Sequence, residues 1–181
     1  MQYGKIVYKF NYQGREVVLR YPKFEDIKDL LNLINSAVEE RAYLLIKKKK
    51  TLKEEMNWLL EKIKKIENKQ LVFFVIEVDG KIMGSCSIDK GIEKKEHVGG
   101  FGILLKKEVR NIGLGQKIIP LLIKEAKKKL KIKMVILQVI KENKIALHVY
   151  EKLGFKKVGE IKKGINHFGK YLDEIIMVKY L

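Results

Sequence analysis

The sequence is poor in cysteine, proline, tryptophan and arginine. Among its 181 residues there are one cysteine (Cys86), two prolines and one tryptophan. A single cysteine excludes a disulfide framework and a cysteine-based metal cluster. Apolar runs are also short: the densest, at 71–78, is interrupted by Glu77, whereas a membrane-spanning helix needs roughly 18 apolar residues. We therefore expect neither a disulfide-rich secreted scaffold nor a membrane protein.

The first residues lack the features of a secretory signal. Lys5 and Lys9 stand in an alternating pattern with no apolar block and no small-residue cleavage site. Together with the single cysteine, this predicts a reduced, cytoplasmic location. No metal site is expected either.

Charge is the unusual quantity in what is present. Lysine and arginine total 39 against 22 acidic residues, which gives a net charge of +17, but only Arg15, Arg20, Arg41 and Arg110 are arginine. Nucleic-acid readers rely on arginine for bidentate contacts, so the lysine excess indicates a solvated surface that attracts anions generally. Thermophily or a biased genome would produce the same excess, and a nucleic-acid- or chromatin-associated binding protein stays open as an alternative.

Two hairpins are predicted in the first half of the chain. Residues 6–12 alternate between apolar and polar, Gln13-Gly14 turns the chain, and 17–19 continue as a strand. Two apolar runs at 71–78 and 81–88 flank Asp79-Gly80, which is a strong hairpin signal.

Helices and further strands follow from apolar spacing. Thr51 and Glu54 form a capping box at the start of the second helix, whose predicted buried face is Leu52, Met56, Leu59, Leu60, Ile63 and Ile66. The predicted helices span about 24–41, 51–69, 113–130 (with Pro120 inside) and 143–153, and the remaining strands span 96–105, 134–140 and two final strands around a polar loop at 162–170.

The chain shows no repeat, linker or shift in composition. With 46% hydrophobic residues it can bury a sizeable core. We therefore predict a single α/β domain over 1–181, in which 1–15 add an extra N-terminal hairpin strand to a core of about 17–181.

The most informative stretch is RNIGLGQ at 110–116, where a strand enters a turn and a helix leaves it. Glycines let the backbone approach a ligand closely, and the first amides of a helix have no internal partner. This arrangement favours an anion site for a phosphate or pyrophosphate. An ordinary glycine-containing turn would give the same pattern, so the loop alone does not distinguish an anion site from such a turn.

A second motif lies downstream at the matching distance: Asn143, Ala146, Tyr150 and then Gly154-Phe155. Together the two motifs resemble the GNAT superfamily of acyl-coenzyme A-dependent N-acyltransferases. The likeness extends from about Val17 to the C-terminal end of the sequence. It implies an acetyl-CoA-dependent N-acetyltransferase with a mixed, mostly antiparallel sheet of about seven strands, splayed between strands four and five, and about four helices.

The resemblance also implies where acetyl-CoA lies. The pantetheine arm would pair with the edge of the family's fourth strand, here Ile103, Leu104 and Leu105. The pyrophosphate would be held by main-chain amides of the loop and the first helical turn: Arg110, Asn111, Ile112, Gly113, Leu114, Gly115 and Gln116. Lys106, Lys107 and Lys117 could add attraction over a distance, although surface solvation explains them equally well.

The resemblance also implies roles for two residues of the second motif. Asn143 is suited to cap the following helix, and the resemblance implies a hydrogen bond to the cofactor arm as well. Tyr150 lies about two turns later and, by resemblance, gives the departing thiolate its proton. Without the resemblance it would be read as a core aromatic.

The general base is not determined by the sequence. Ribosomal-protein alanine acetyltransferases of this superfamily place a glutamate five residues before the asparagine, where this chain has Gln138. Glu96, His97 or a water molecule are the alternatives. Cys86 is not needed as a nucleophile, because the amine attacks the thioester directly.

The acceptor is a small-molecule or peptide amine whose identity stays open. Glu39 and Glu40 could meet a cationic acceptor, and a protein N-terminus, a lysine, a polyamine or an amino acid would all fit. A domain that binds coenzyme A without catalysis is a further alternative, although the presence of both Asn143 and Tyr150 argues against it. A homodimer is left open.

Overall fold

The computed structural model describes residues 2–181. Within this range the chain forms an eight-stranded sheet and four α-helices. The strands are β1 (Ile6–Tyr12), β2 (Arg15–Arg20), β3 (Leu71–Val78), β4 (Lys81–Lys90), β5 (Val98–Leu105), β6 (Met134–Ile140), β7 (Lys156–His167) and β8 (Lys170–Tyr180). The helices are α1 (Ile27–Glu39), α2 (Leu52–Glu67), α3 (Leu114–Leu130) and α4 (Lys144–Lys152).

The sheet order is β1-β2-β3-β4-β5-β6-β8-β7, and only the β5–β6 pair is parallel. The predicted α/β class, with a mostly antiparallel open sheet, is confirmed. Seven strands match the expected core, and β1 is the additional N-terminal strand. The strands predicted to splay apart are therefore β5 and β6.

Most predicted elements are confirmed, with three differences. The first helix begins with a 3-10 turn at Phe24–Asp26. The polar loop expected at 162–170 is instead a tight turn, because β7 continues to His167 and β8 starts at Lys170. An edge strand such as β7 can carry lysines on both faces, which made it look like a loop.

The third difference concerns the buried face of α2. The capping box at Thr51 is present, but Leu52, Met56 and Leu60 are each more than 40% exposed. The buried residues of α2 are Glu55, Leu59 and Ile66. The helix is thus turned so that a carboxylate faces inward.

Two helices cover each face of the sheet near its centre. The Trp58 ring of α2 meets Phe73 edge to face, with centroids 5.5 Å apart. Phe73 is paired with Ser87, and Ser87 with Gly102, so these residues share the α2 face. Phe101 points to the other face, where its ring packs on Tyr150 of α4 at 5.8 Å.

Candidate active site

The central feature is a split between β5 and β6. These strands pair only through Val98–Gly100 and Met134–Ile136, while β4 pairs with β5 as far as Leu105. Beyond the short ladder, β5 has no strand on its β6 side. At the closed end, a Cβ on Gly99 would lie 2.6 Å from Ile88 Cγ2 and 2.8 Å from Ile132 Cδ1.

The open edge of β5 uses two of the three residues expected there. Main-chain groups alternate in direction along an antiparallel strand. The Lys106 amide donates to the Met83 carbonyl at 2.8 Å, so Leu104 also faces β4. The main-chain groups of Ile103 and Leu105 therefore face the open side.

The predicted phosphate loop lies at the N-terminus of α3. Gly113 caps the helix with φ of 81°, a left-handed conformation that favours glycine. Among residues 2–181, the amides of Asn111, Ile112, Gly113, Leu114 and Gly115 find no acceptor. A Cβ on Gly115 would meet nothing within 4 Å. The loop therefore presents unpaired donors around open space, as an anion site requires.

The Arg110 side chain is committed to the protein. Its Nε donates to the Leu105 carbonyl at 2.7 Å, and its guanidinium pairs with Glu40 at 2.7 Å. It therefore fixes the loop against the end of β5. Glu39 is paired with Lys49, so neither carboxylate proposed for a cationic acceptor is free.

The N-terminal hairpin braces this loop, which the sequence did not reveal. The Tyr12 hydroxyl donates to the Ile112 carbonyl at 2.8 Å, and Gln13 donates to the same carbonyl at 3.2 Å. A Cβ on Gly113 would lie 2.7 Å from the Tyr12 oxygen. These contacts join residues about a hundred positions apart, and only the paired hairpin brings them together.

Asn143 is the N-cap of α4, as predicted. Its side-chain oxygen accepts a hydrogen bond from the Ala146 amide at 3.3 Å, and its carbonyl accepts from Leu147. It directly follows β6 at the open end of the split. The structure thus confirms the capping role, and the contact with the cofactor arm stays a prediction.

Tyr150 is buried, with 8% of its surface exposed. Its ring packs against Phe101 and Phe155. Burial raises the pKa of its phenol to about 12. The hydroxyl makes no hydrogen bond to another residue in 2–181, and no fully buried side-chain oxygen there lacks a partner, so the hydroxyl is accessible to a ligand. Its raised pKa keeps it protonated at neutral pH.

The structure does not bring Glu96 and His97 to the open end of the split. A 3-10 turn at Glu93–Lys95 precedes them, and Glu96 pairs with Lys90 at 3.2 Å. The His97 carbonyl accepts from Lys133 at the closed end. Ile103 lies six positions after His97 along the strand, a distance of roughly 20 Å.

Gln138 and Cys86 do not provide a proton acceptor or a nucleophile either. Gln138 donates to Glu174 at 3.2 Å. Cys86 is buried opposite Ile103, and burial raises the pKa of its thiol. A thiol held in its neutral form is a poor nucleophile.

A cavity of about 400 Å³ opens on the other side of β5, between α1, α2 and the sheet. Leu104 and Ser85 form its floor, and Glu55 lies in its wall. Sequence reasoning missed Glu55 because its neighbours on α2 suggested a different buried face. Within 2–181, no helix is long and apolar enough to cross a bilayer. In the same residues, no group of three or more His, Cys, Asp and Glu side chains is arranged to bind a metal ion.

Comparison with known proteins gives consistent matches. A family model described as acetyltransferase (GNAT) domain matches residues 19–176. An N-acetyltransferase of Methanocaldococcus jannaschii, described as uncharacterized, is 34% identical over 144 residues, covering 77% of this chain and 60% of that protein. The L-amino acid N-acetyltransferase of Escherichia coli is 30% identical over 103 residues, covering 56% of this chain and 64% of that protein. The matches thus span less than two thirds of these two relatives.

A solved structure resembles the whole fold. The ribosomal L7/L12 alpha-N-protein acetyltransferase, solved with coenzyme A, superimposes with a TM-score of 0.85 at 14% identity and covers 98% of both chains. At this identity the likeness concerns the fold alone.

Proposed function

Because the chain belongs to the GNAT acetyltransferase family, we propose that it is an N-acetyltransferase that moves the acetyl group of acetyl-CoA to a primary amine. One arrangement carries the proposal: β5 has an open edge beside the split, the unpaired amides at the start of α3 follow that strand, and the Tyr150 ring packs against Phe101 of the same strand. A relative of the same fold was solved with coenzyme A. The related Escherichia coli protein is an L-amino acid N-acetyltransferase.

The residues fit acetyl-CoA at both ends of the split. The amides of 111–115 and the open space at Gly115 suit its pyrophosphate. Ile103 and Leu105 offer main-chain groups to its pantetheine amides, although Arg110 already occupies the Leu105 carbonyl. Asn143 stands on the opposite wall. When bound, acetyl-CoA supplies an activated acetyl thioester.

Two sets of groups in the chain then assist the transfer. Main-chain amides on the open edge of β5 can donate to the thioester carbonyl oxygen as it gains negative charge. Tyr150 gives its proton to the departing sulfur, and its raised pKa keeps that proton on the phenol at neutral pH. Because Glu96 and His97 lie at the closed end of the split, another group near the open end accepts the proton of the amine.

The proposal is tested with acetyl-CoA and three amine probes: spermidine, Nα-acetyl-lysine and a tetrapeptide with a free N-terminal alanine. Release of free thiol that depends on a probe, with a matching acetylated product by mass spectrometry, is the expected result. Acetyl-CoA binding without release with any probe would favour a non-catalytic coenzyme A-binding domain.

The role of Tyr150 has its own test. Tyr150→Phe keeps the ring packed but removes the proton, so we expect kcat to fall about 10²-fold or more with little change in the KM for acetyl-CoA. Because the pKa is about 12, Tyr150 should produce no alkaline limb in the pH–rate profile below about pH 10.

The matched control is Tyr171→Phe, which removes the same hydroxyl from a residue that is 62% exposed. It should behave as wild type. If Tyr150→Phe also stays within a few-fold of wild type, the residue only packs α4 against the sheet.

A further inference from the structure

The cavity on the α1–α2 side of β5 is acidic in a strongly basic protein. Three carboxylates line it, from Glu54, Glu55 and Glu61, against a single lysine, Lys50. The chain as a whole carries +17. The local excess of negative charge therefore favours a cationic ligand.

Glu55 is a mostly buried residue whose carboxylate faces the cavity without a protein partner. It is 6% exposed, yet among residues 2–181 its carboxylate forms neither a salt bridge nor a hydrogen bond. Lys50 lies 3.9 Å from Glu54 instead. By contrast, the buried Asp26 is held by Arg20 at 2.7 Å. No fully buried side-chain oxygen among residues 2–181 lacks a partner, so the Glu55 oxygens open on the cavity and are free to pair with a cation there.

The cavity extends to β5, the strand whose open edge borders the split. Leu104 lines it, and the adjacent Ile103 and Leu105 present their main-chain groups to the open edge. Tyr150 contacts Phe101 on the opposite face of the sheet. A ligand in the cavity therefore approaches β5 from the side opposite to the proton donor, which separates the incoming amine from the departing sulfur.

We propose that this cavity binds the acceptor as a primary ammonium ion and that Glu55 pairs with it and takes its proton. This inference rests on the proposed acetyl transfer. Leu30, Leu33 and Trp58 also line the cavity, so the ammonium would sit beside an apolar part of the acceptor. Burial raises the pKa of the Glu55 carboxyl, partly opposed by Lys50, which makes it a better proton acceptor than a solvated glutamate.

The protons balance over the whole reaction. The ammonium gives one proton to Glu55, and its freed electron pair forms the C–N bond as the C–S bond breaks. Tyr150 supplies the sulfur with a proton, and the second proton of the nitrogen replaces it by way of water. One proton in total leaves Glu55 for solvent.

The test compares Glu55→Gln, Glu55→Asp and wild type with whichever of the three amine probes turns over fastest. Glu55→Gln should lower kcat/KM for the amine about 10²-fold at pH 7, with calorimetric affinity for acetyl-CoA unchanged. Glu55→Asp keeps a carboxylate and should lie between them. Raising the pH toward the pKa of the free amine should narrow the deficit of Glu55→Gln, because more acceptor then arrives deprotonated.

Stability separates this role from a structural one. A raised carboxyl pKa means that folding favours the protonated form, so its stabilising contribution is present at low pH and lost as pH rises through that pKa. Removing the charge with Glu55→Gln should leave the thermal midpoint at pH 7 equal or higher. Glu67→Gln, an exposed residue on the same helix, is the matched control and should be as active as wild type.

The outcomes are distinguishable. Wild-type turnover together with near-normal kinetics of Glu55→Gln would overturn this inference and leave the acetyltransferase proposal standing. A deficit that does not change with pH and accompanies a lower thermal midpoint would also overturn it. Absence of turnover in the wild type with every probe would overturn both.

Discussion

At the scale of single residues, the two glycines of the α3 loop serve different purposes. Gly113 has a positive φ and lies against Tyr12, so a side chain there would distort the loop itself. Gly115 has neither constraint, since its Cβ position faces open space. The second glycine is therefore kept free for the approach of a ligand rather than for the fold.

Substitution of Gly115 gives a clean test of the phosphate site. Gly115→Val should fold with an unchanged or higher thermal midpoint, because glycine is the poorer helix former. Its affinity for acetyl-CoA should fall at least about tenfold by calorimetry, since the side chain occupies the space of the pyrophosphate. Gly115→Ala should show a smaller loss. Normal binding by the folded Val variant would contradict the loop assignment.

Residues in contiguous motifs were the ones that sequence could assign. RNIGLGQ and Asn143 form their local structures with near neighbours, so the spacing alone predicts them. The roles of Glu55 and Tyr12 could not be predicted, because the residues around them come from distant segments of the chain. A carboxylate beside Met56 on an amphipathic helix is expected in water, and only the packing of α2 against the sheet, where Trp58 meets Phe73 of β3, turns Glu55 inward.

At the scale of elements, the N-terminal hairpin supports the α3 loop. Its sequence predicts two strands and a turn but says nothing of what lies beside the turn. The Tyr12 and Gln13 side chains reach the Ile112 carbonyl, which holds the loop amides outward. The additional strand thus contributes to the candidate site without lining it.

Tyr12→Phe should therefore weaken acetyl-CoA binding while leaving the sheet intact. A hydrogen bond contributes a net 0.5–1.5 kcal/mol or so, which corresponds to about a 2- to 10-fold loss in affinity. Calorimetry measures this directly. Tyr8→Phe is the matched control on the same strand, since its hydroxyl donates to no residue in the described chain, and it should bind normally. Equal affinities for both variants would show that the loop holds its shape alone.

At the scale of the whole molecule, the net charge of +17 acts together with a local acidic cavity. The net positive charge attracts a polyanion such as acetyl-CoA, whereas the acidic cavity near β5 favours a cation. Sequence predicted the global charge and the sheet, because both follow from composition and short-range pattern. It could not predict the acidic cavity, since this depends on how the helices turn.

Ionic strength should separate the two effects. Attraction by exposed lysines is screened over about 10 Å at 0.1 M salt and about 3 Å at 1 M. The KM for acetyl-CoA should therefore rise several-fold between low salt and about 0.5 M. Acetyl-pantetheine, which lacks the phosphates of the nucleotide, should show no such rise. Binding of duplex DNA that is tight and insensitive to salt would instead support the nucleic-acid alternative.

The short ladder between β5 and β6 also has a mechanical consequence. Three residue pairs join one half of the sheet, β1 to β5, to the other, β6 to β8. Gly99 lies in that ladder with Ile88 and Ile132 pressed against it, while Leu105 lies roughly 20 Å away along the strand. We therefore expect that a change in side-chain packing at Gly99 alters the spacing of β5 and β6 at their far ends. Residues that touch no ligand would then influence the width of the site.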